Sequence, residues 1–258
     1  MLLHVKILKK YQPPVFTLSV GNLQVGGTGK TPHVEYLIKL FATKRIAVLS
    51  RGYGRKTKGF LKASENSSPE TIGDEPFQIY NKLGSKVNVY VSENRPKGVL
   101  EIMKIDNVEV ILLDDAYQHQ YISPHLNLLL TTFYQPFSRD IMLPAGRLRE
   151  SRANANRADA VIITKCPETL SDKIKSLLMN EVRKFAGGNK PVFFSQFEYK
   201  EPVCYGKNEF MSNQRFKAIA SSHTRSEMDV EETGRRSEYF GMNVFNEERM
   251  LQYLTKEC

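Results

Sequence analysis

The sequence predicts an α/β fold: a doubly wound, mostly parallel sheet with helices on both faces and an irregular C-terminal tail. Over the first 195 residues, short apolar segments alternate with amphipathic ones, and several apolar segments are unbroken, as in strands covered on both faces. The first apolar run leads into a glycine-rich turn followed by Lys30 and Thr31, which is typical of a phosphate-binding loop. The predicted fold is therefore P-loop NTPase-like.

Seven segments have the pattern of strands and five have the pattern of helices. The predicted strands are 15–20, 46–50, 87–91, 108–113, 126–131, 160–164 and 192–195. The predicted helices are 30–43, 73–83, 95–105, 151–157 and 169–185. The first helix has one apolar face, formed by Val34, Leu37, Ile38 and Phe41. Ligands of such sheets bind beyond the carboxyl ends of the strands, so the polar motifs that follow strands are the candidate site residues.

Three consecutive regions are expected. Residues 1–14 are a short lead-in that could face a membrane surface, residues 15–205 form the phosphate-loop core, and residues 206–258 are divergent. The charged, serine-rich stretch from Ser212 to Gly241 has no clean periodicity, which predicts a surface excursion or disorder.

A short helix is expected over 246–256, near the end of the chain. Asn246 is its expected N-cap, because a side-chain amide oxygen can accept from the first free backbone N–H groups. The spacing of the apolar residues predicts that Met250, Leu251 and Leu254 face inward.

Composition narrows the classes of function. The 258 residues are 41% hydrophobic and can bury a sizeable core, and the formal net charge is +9. A basic balance suits a phosphorylated ligand, an anionic membrane surface or nucleic acid, but no nucleic-acid-binding module is recognisable, so no nucleic-acid partner is expected. The three cysteines lie far apart without metal spacing, which fits a reducing compartment. No apolar run is long enough to predict a membrane span.

The glycine-rich turn has the chemistry of an anion site. Glycines let the backbone turn sharply and expose its N–H groups, while the following helix adds the positive end of its dipole. Lys30 is expected to reach the terminal phosphates and the Thr31 hydroxyl to bind Mg²⁺. One departure from the usual motif is Gln24, which stands where the first glycine is expected; a tight connection without a ligand is the alternative. The expected nucleotide contacts are Gln24, Val25, Gly26, Gly27, Thr28, Gly29, Lys30 and Thr31.

Two pairs of acidic residues are candidates for metal binding and proton transfer. Asp114 and Asp115 end the most hydrophobic strand, where a carboxylate opposite a phosphate loop holds Mg²⁺; the alternative is an aspartate pair that caps a turn. Asp74 and Glu75 begin a helix pattern. Asp74 is either the N-cap of that helix or a base that accepts a proton from an attacking hydroxyl, and the residues alone favour neither.

Basic and aromatic residues follow other strands. Arg51 and Tyr53 lie in a glycine-rich loop after strand 46–50, where an arginine can clamp a phosphate and a tyrosine can stack on a sugar; a flexible basic loop is the alternative. His119 follows the Asp pair and could bind substrate or orient a carboxylate. Arg147 belongs to a loop with two cations that contacts either an anionic substrate or solvent. Lys165 ends strand 160–164, a position that packs beside the nucleotide base in many phosphate-loop proteins.

Taken together, six motifs in this order resemble the tetraacyldisaccharide 4′-kinase family, the lipid A 4′-kinases of Gram-negative bacteria. The motifs lie at 19–33 (SVGNLQVGGTGKTPH), 49–55 (LSRGYGR), 73–76 (GDEP), 114–119 (DDAYQH), 143–150 (LPAGRLRE) and 158–165 (ADAVIITK). They cover roughly residues 15–195, and a phosphate loop without its first glycine is itself a trait of that family.

The resemblance implies an enzyme that transfers the ATP γ-phosphate to the 4′-hydroxyl of a lipid-linked disaccharide, in peripheral contact with the inner face of the inner membrane. ATP and Mg²⁺ are the implied cofactors. By motif, Lys30 and Thr31 take the phosphate and Mg²⁺ roles, Asp114 and Asp115 the metal-side roles, and Asp74 the role of base. The implied substrate contacts are Asn22, Arg51, Tyr53, Glu75, His119 and Arg147.

The two ends of the chain depart from this family. The family carries a longer N-terminal segment and a later Asp-His-His motif, whereas here 14 residues precede the first strand and the only later histidine is His223. One hypothesis is therefore a truncated or frame-shifted kinase. Two other functions stay open: a nucleotide-binding homologue without catalysis that acts as a switch or scaffold, and a different phosphate-loop enzyme acting on a small soluble substrate. The ordered motifs argue against the last.

Overall fold

The computed structural model describes residues 10–84, 86–199, 240–245 and 247–256. Nine strands lie within these ranges: β1 (Phe16–Asn22), β2 (Ile46–Ser50), β3 (Leu61–Lys62), β4 (Asn88–Val91), β5 (Val110–Asp114), β6 (Leu126–Thr132), β7 (Ala160–Thr164), β8 (Val192–Tyr199) and β9 (Phe240–Phe245). The helices are α1 (Lys30–Leu40), α2 (Pro69–Ile72), α3 (Asp74–Leu83), α4 (Arg95–Ile105), α5 (Asp172–Ala186) and α6 (Glu247–Lys256). Two 3₁₀ helices span Phe137–Arg139 and Arg152–Arg157.

The nine strands form one sheet in the order β3-β4-β2-β5-β1-β6-β7-β8-β9. The central strands, from β4 to β8, pair in parallel, whereas the edge strands β3 and β9 are antiparallel to their neighbours. The chain first fills one side of β1 and then crosses to the other side with β6. The strand order therefore reverses at β1, and the loop that follows β1 lies where open α/β sheets bind ligands.

Helices cover both faces of the sheet, which explains why the central strands are apolar without alternation. In β5, for example, Leu112 is buried in the core that includes α1, α3 and α6, whereas Leu113 is buried in the core that includes α4. In β7, Ile162 and Ile163 divide in the same way between the first core and the one that includes α5. A doubly wound sheet is thus confirmed.

All seven predicted strands are present, with ends that differ by at most four residues. The predicted helices are present except that 151–157 forms a 3₁₀ helix, and the first helix ends at Leu40 rather than residue 43. The inward prediction for the last helix is confirmed for Met250 and Leu254 and wrong for Leu251, which is 37% exposed.

Four elements were not predicted, namely β3, α2, the 3₁₀ helix Phe137–Arg139 and β9. β3 and α2 have only two and four residues, too few for a periodic signal. The predicted N-cap Asn246 and most of the stretch 212–241 lie outside the described residues. In the described part of the chain, no helix has both the length and the apolar character that crossing a bilayer requires.

Candidate active site

The glycine-rich loop connects β1 to α1 at the carboxyl edge of the sheet. Gly26 and Gly29 have φ values of 106° and 88°, conformations that favour glycine, and α1 begins directly afterwards at Lys30. Side chains from the sheet hold the loop from behind: the Asn22 amide donates to the Thr28 hydroxyl at 2.9 Å, and the Thr164 hydroxyl donates to the Thr28 carbonyl at 2.9 Å. Hydrogen bonds within the protein therefore hold the loop in place without a ligand, as an anion-binding loop requires.

Gln24, the residue in place of the first glycine, is buried and turned toward a neighbouring loop. Its side-chain amide donates to a carboxylate oxygen of Asp140 at 2.7 Å and to the Gln135 carbonyl at 3.2 Å. The Val25 N–H donates to the Arg147 carbonyl at 2.8 Å. Gln24 thus ties the start of the phosphate loop to the segment that carries the predicted Arg147.

A cavity of about 560 Å³ opens beside the loop. Its lining combines residues that are far apart in the sequence: Gln24, Val25, Gly26, Lys30, Ser50, Arg51, Tyr53, Asp74, Glu75, Pro76, Asp115, Gln118, His119 and Arg149. Ten of these were predicted from the motifs that follow β1, β2, β5 and the start of α3. Because parallel strands end at one edge, their loops converge, as the fold class predicted.

Two glycines allow the Arg51 loop to reach the Asp74 loop. A Cβ on Gly73 would lie 2.9 Å from the Tyr53 carbonyl oxygen, and a Cβ on Gly52 would lie 2.8 Å from the Ile72 carbonyl oxygen. Both glycines also have positive φ values, 92° and 70°. Only backbone fits between these loops, and their close approach places Arg51 and Tyr53 on the same cavity as Asp74 and Glu75.

Asp115 is neutralised by cations of the protein. Lys30 Nζ lies 3.7 Å from Asp115 Oδ1, and a guanidinium nitrogen of Arg149 lies 3.2 Å from the same oxygen. Burial by itself raises the pKa of Asp115, but Lys30 and Arg149 outweigh it, so the pKa lies below its ordinary value. Asp115 therefore stays ionised and aligns the two cations along the cavity wall.

Asp114 has the opposite environment. Both carboxylate oxygens are buried and have no hydrogen-bond partner among the described residues. Burial, together with the charges of Glu75 and Asp115, raises the pKa of Asp114 to about 7, although Lys30 and Arg95 oppose the shift. The Arg95 guanidinium donates to the Asp114 carbonyl oxygen at 2.8 Å rather than to its carboxylate. Such an uncompensated carboxylate is suited to a bound cation.

Two further carboxylates, Asp74 and Glu75, and the histidine His119 also line the cavity. The N-cap of α3 is Gly73, so the alternative interpretation of Asp74 as N-cap is wrong; Asp74 is the first helical residue and is exposed to the cavity. Burial, with Asp115 and Asp74 contributing, raises the pKa of Glu75 against the influence of Lys30. For His119, burial and the charges of Arg95 and Arg51 lower the pKa to about 4. The ring is therefore uncharged near neutral pH.

Eight predicted site residues are not among those that line the cavity: Asn22, Gly27, Thr28, Gly29, Thr31, Asp114, Arg147 and Lys165. Asn22 is buried and bonded to Thr28 and Arg149, and the Arg147 guanidinium pairs with Asp140 at 3.1 Å. Lys165 follows β7 with a φ of 57°, and its ammonium lies 3.9 Å from where a Cβ on Gly27 would be. Lys165 thus lies beside the phosphate loop.

Sequence reasoning missed several residues of the site. Arg149 contacts Asp115 and Asn22, and the Gln118 amide donates to the Asn22 carbonyl at 2.6 Å. Arg149 lies two residues from the predicted Arg147, so the motif offered two arginines and only the contacts separate them. Gln118 lies between two residues of the predicted motif 114–119 and carried no signal of its own.

The fold and the site together define a phosphate-loop protein of the α/β class, with an acidic and basic cavity beyond its central strands. The family model described as tetraacyldisaccharide-1-P 4′-kinase matches residues 1–223. The chain belongs to this family, as its motifs predicted.

Individual relatives agree with the family assignment. Proteins named tetraacyldisaccharide 4′-kinase from Flavobacterium psychrophilum and Flavobacterium johnsoniae are 44% and 45% identical over 220 and 215 residues, which is 83% and 82% of this chain. A crystal structure of LpxK from Aquifex aeolicus, described as a complex with ATP, superposes with a TM-score of 0.72 at 28% identity over 97% of this chain and 90% of that one. The chain spans 62% of the length of each Flavobacterium relative.

Proposed function

We propose that this chain is an ATP-dependent kinase that transfers the γ-phosphate to the 4′-hydroxyl of a tetraacyldisaccharide 1-phosphate. The observation that carries the proposal is that the phosphate loop, Lys30, Arg51 and Asp74 all line one cavity. Phosphoryl transfer needs this kind of arrangement, because the enzyme supplies alignment, charge neutralisation and a base rather than covalent chemistry. Membership of the family and the ATP in the related LpxK structure support the choice of nucleotide.

In this mechanism the loop amides and Lys30 bind the polyphosphate of the nucleotide at the end that carries the transferred γ-phosphate. Arg149, positioned by Asp115, adds a second cation on the same wall. Arg51 and Tyr53 contact the phosphorylated sugar, and the exposed carboxylate of Asp74 accepts the proton of the attacking hydroxyl. Neutral His119 accepts a hydrogen bond from a sugar hydroxyl or donates one to it, without adding charge.

The residues present fit a Mg²⁺ ion that arrives with the nucleotide. Among the described residues no group of three or more His, Cys, Asp or Glu side chains is placed to hold a metal. Mg²⁺ bound to a nucleotide needs only one or two protein ligands, however, and Asp114 offers two unpartnered oxygens. Asp114, with Asp115 and the Thr31 hydroxyl, would hold the ion, and the ion would neutralise phosphate charge.

We also propose that the protein works in peripheral contact with the cytoplasmic face of the inner membrane, where its lipid substrate lies. The net charge of +9 favours an anionic lipid surface.

The direct test is an assay with γ-labelled ATP, Mg²⁺ and tetraacyldisaccharide 1-phosphate in mixed micelles. We expect label in the lipid product and none when the 4′-hydroxyl is blocked. The competing function, a nucleotide-binding homologue without catalysis, predicts Mg·ATP binding without any labelled lipid. That result with folded protein would overturn the proposed activity.

A prediction on stability tests the metal assignment separately. Because burial raises the pKa of Asp114 from 3.8 to about 7, the folded state holds a proton that the unfolded state loses between these values. The contribution of Asp114 to stability without metal should therefore fall as pH rises from about 4 to 7, and Asp114→Asn should remove about 1–3 kcal/mol of that loss.

Thermal unfolding measured at pH 4.5 and pH 8, with and without Mg·ATP, checks this prediction. Asp114→Asn should unfold at a higher temperature than wild type at pH 8 without ligand, and the difference should shrink at pH 4.5. Mg²⁺ should add to the stabilisation by ATP in wild type but much less in the variant. An equal Mg²⁺ effect in both proteins would remove Asp114 from the metal site.

A further inference from the structure

His33 is a buried polar residue that the proposed mechanism does not use. It lies in the first turn of α1, with 1% of its surface exposed. Its Nδ1 lies 2.7 Å from the Gly29 carbonyl oxygen, and its Nε2 lies 3.0 Å from the hydroxyl of Ser195 on β8. Ser195 itself is fully buried. The histidine thus connects the last glycine of the phosphate loop, which follows β1, to β8, which lies three positions from β1 in the sheet.

The chemistry of these contacts fixes the proton positions. A carbonyl oxygen only accepts, so Nδ1 must carry the hydrogen and donate to Gly29. In the uncharged ring Nε2 then accepts from the Ser195 hydroxyl. Burial lowers the pKa of His33 to about 4, against the opposing hydrogen bond to Gly29, so the uncharged form holds near neutral pH.

The Gly29 carbonyl is held by two donors from the same residue. The His33 backbone N–H donates to it at 3.2 Å, which is the ordinary helical bond, and the ring adds the second bond. The preceding carbonyl, of Thr28, accepts from the Thr164 hydroxyl on β7. Two successive carbonyls of the loop are therefore anchored by side chains other than those of the loop, and both anchors trace back to neighbouring strands.

Anchoring a carbonyl also aims an amide. The Gly29 carbonyl and the Lys30 N–H belong to one planar peptide and point in opposite directions. A ring that fixes the carbonyl on the α1 and β8 side therefore fixes the Lys30 N–H away from that side. The Thr28 carbonyl and the Gly29 N–H are related in the same way. An anion bound in the loop meets these two amides without a cost for reorienting them.

We propose that His33, oriented by Ser195, is a positioning residue that presets the phosphate-loop amides for the polyphosphate of a nucleotide. The inference rests on the proposed function only for the identity of the ligand. Phe197, two residues after Ser195, contributes to the same anchor, because its ring packs edge-on to His33 with centroids 5.9 Å apart. The competing explanation is a histidine that merely satisfies its own polar groups in the core.

The test is the dissociation constant of Mg·ATP, measured by calorimetry on four variants. His33→Leu removes both contacts and should weaken binding about 10-fold, the usual cost of one hydrogen bond that positions a ligand group. His33→Asn keeps a donor within reach of Gly29 and should stay within about 3-fold of wild type. Ser195→Ala removes the hydroxyl that orients the ring, and its dissociation constant should lie between those of His33→Leu and His33→Asn.

His125→Leu is the matched control. Its Nδ1 likewise bonds to the backbone, here by accepting from the Thr17 N–H, but near the opposite end of β1. It should bind Mg·ATP as wild type does. A structural role alone predicts lower unfolding temperatures with unchanged affinity, so Mg·ATP binding within 2-fold of wild type in folded His33→Leu and Ser195→Ala would overturn the inference. If His33→Leu does not fold, Ser195→Ala decides: weaker Mg·ATP binding supports the inference, and binding within 2-fold of wild type overturns it. Wild-type protein that binds no Mg·ATP would instead contradict the proposed function.

Discussion

Replacing Lys30 with methionine is expected to lower the rate of phosphoryl transfer by about a thousandfold. Lys30 begins α1 at the end of the phosphate loop, and its ammonium lies within the cavity, 3.7 Å from Asp115. The transferred phosphate spreads negative charge over its oxygens in the transition state, and a fixed ammonium in a partly buried site stabilises that charge more than the ground state. The loss should therefore appear mainly in kcat.

Lys39→Met provides the matched control, because this lysine is exposed in the last turn of the same helix. It removes the same charge from the same element, at the end away from the loop, and should leave kcat unchanged. Asp115 keeps Arg149 as a partner in the Lys30 variant, so the protein should remain folded. A folded Lys30→Met variant with kcat within 10-fold of wild type would contradict the role of Lys30.

The central part of the fold could be predicted because its physical signal is local. A strand that is buried on both faces must be apolar throughout, and the runs at β5, β6 and β7 have no other simple interpretation. The edges carry no such signal. β3 pairs through two residues with β4, and β9 contains a glycine and an asparagine that lower its strand propensity. Their pairing is decided by the neighbouring strand.

The candidate site was predictable wherever a loop follows a central strand, since the topology brings these loops together. The sequence could not predict which member of a motif points into the cavity. Arg147 and Arg149 occupy equivalent places in one motif, and only the position of Asp140 draws Arg147 away. The side-chain amide of Gln24 donates a hydrogen bond to the same carboxylate, that of Asp140. Gln24 and Asp140 are 116 residues apart, and Arg149 and Asn22 are 127 residues apart, so spacing along the chain cannot identify these contacts.

The assignment of the base leads to the sharpest comparison, because two adjacent carboxylates line the same wall. Asp74→Asn is expected to lower kcat about a thousandfold, the usual contribution of a general base, with little change in the KM for the acceptor. Glu75→Gln should cost about tenfold at most. Burial, together with the charges of Asp115 and Asp74, raises the pKa of Glu75, and the neutral glutamine side chain removes the repulsion from those two carboxylates.

Asp172→Asn is the control for Asp74→Asn, since Asp172 is likewise in the first turn of a helix but is almost fully exposed. Rates should be measured at saturating Mg·ATP, so that nucleotide binding does not obscure the chemical step. If Glu75→Gln loses more activity than Asp74→Asn, the proton is accepted by Glu75. In that case the raised pKa of Glu75 is the feature that identifies the base in this cavity.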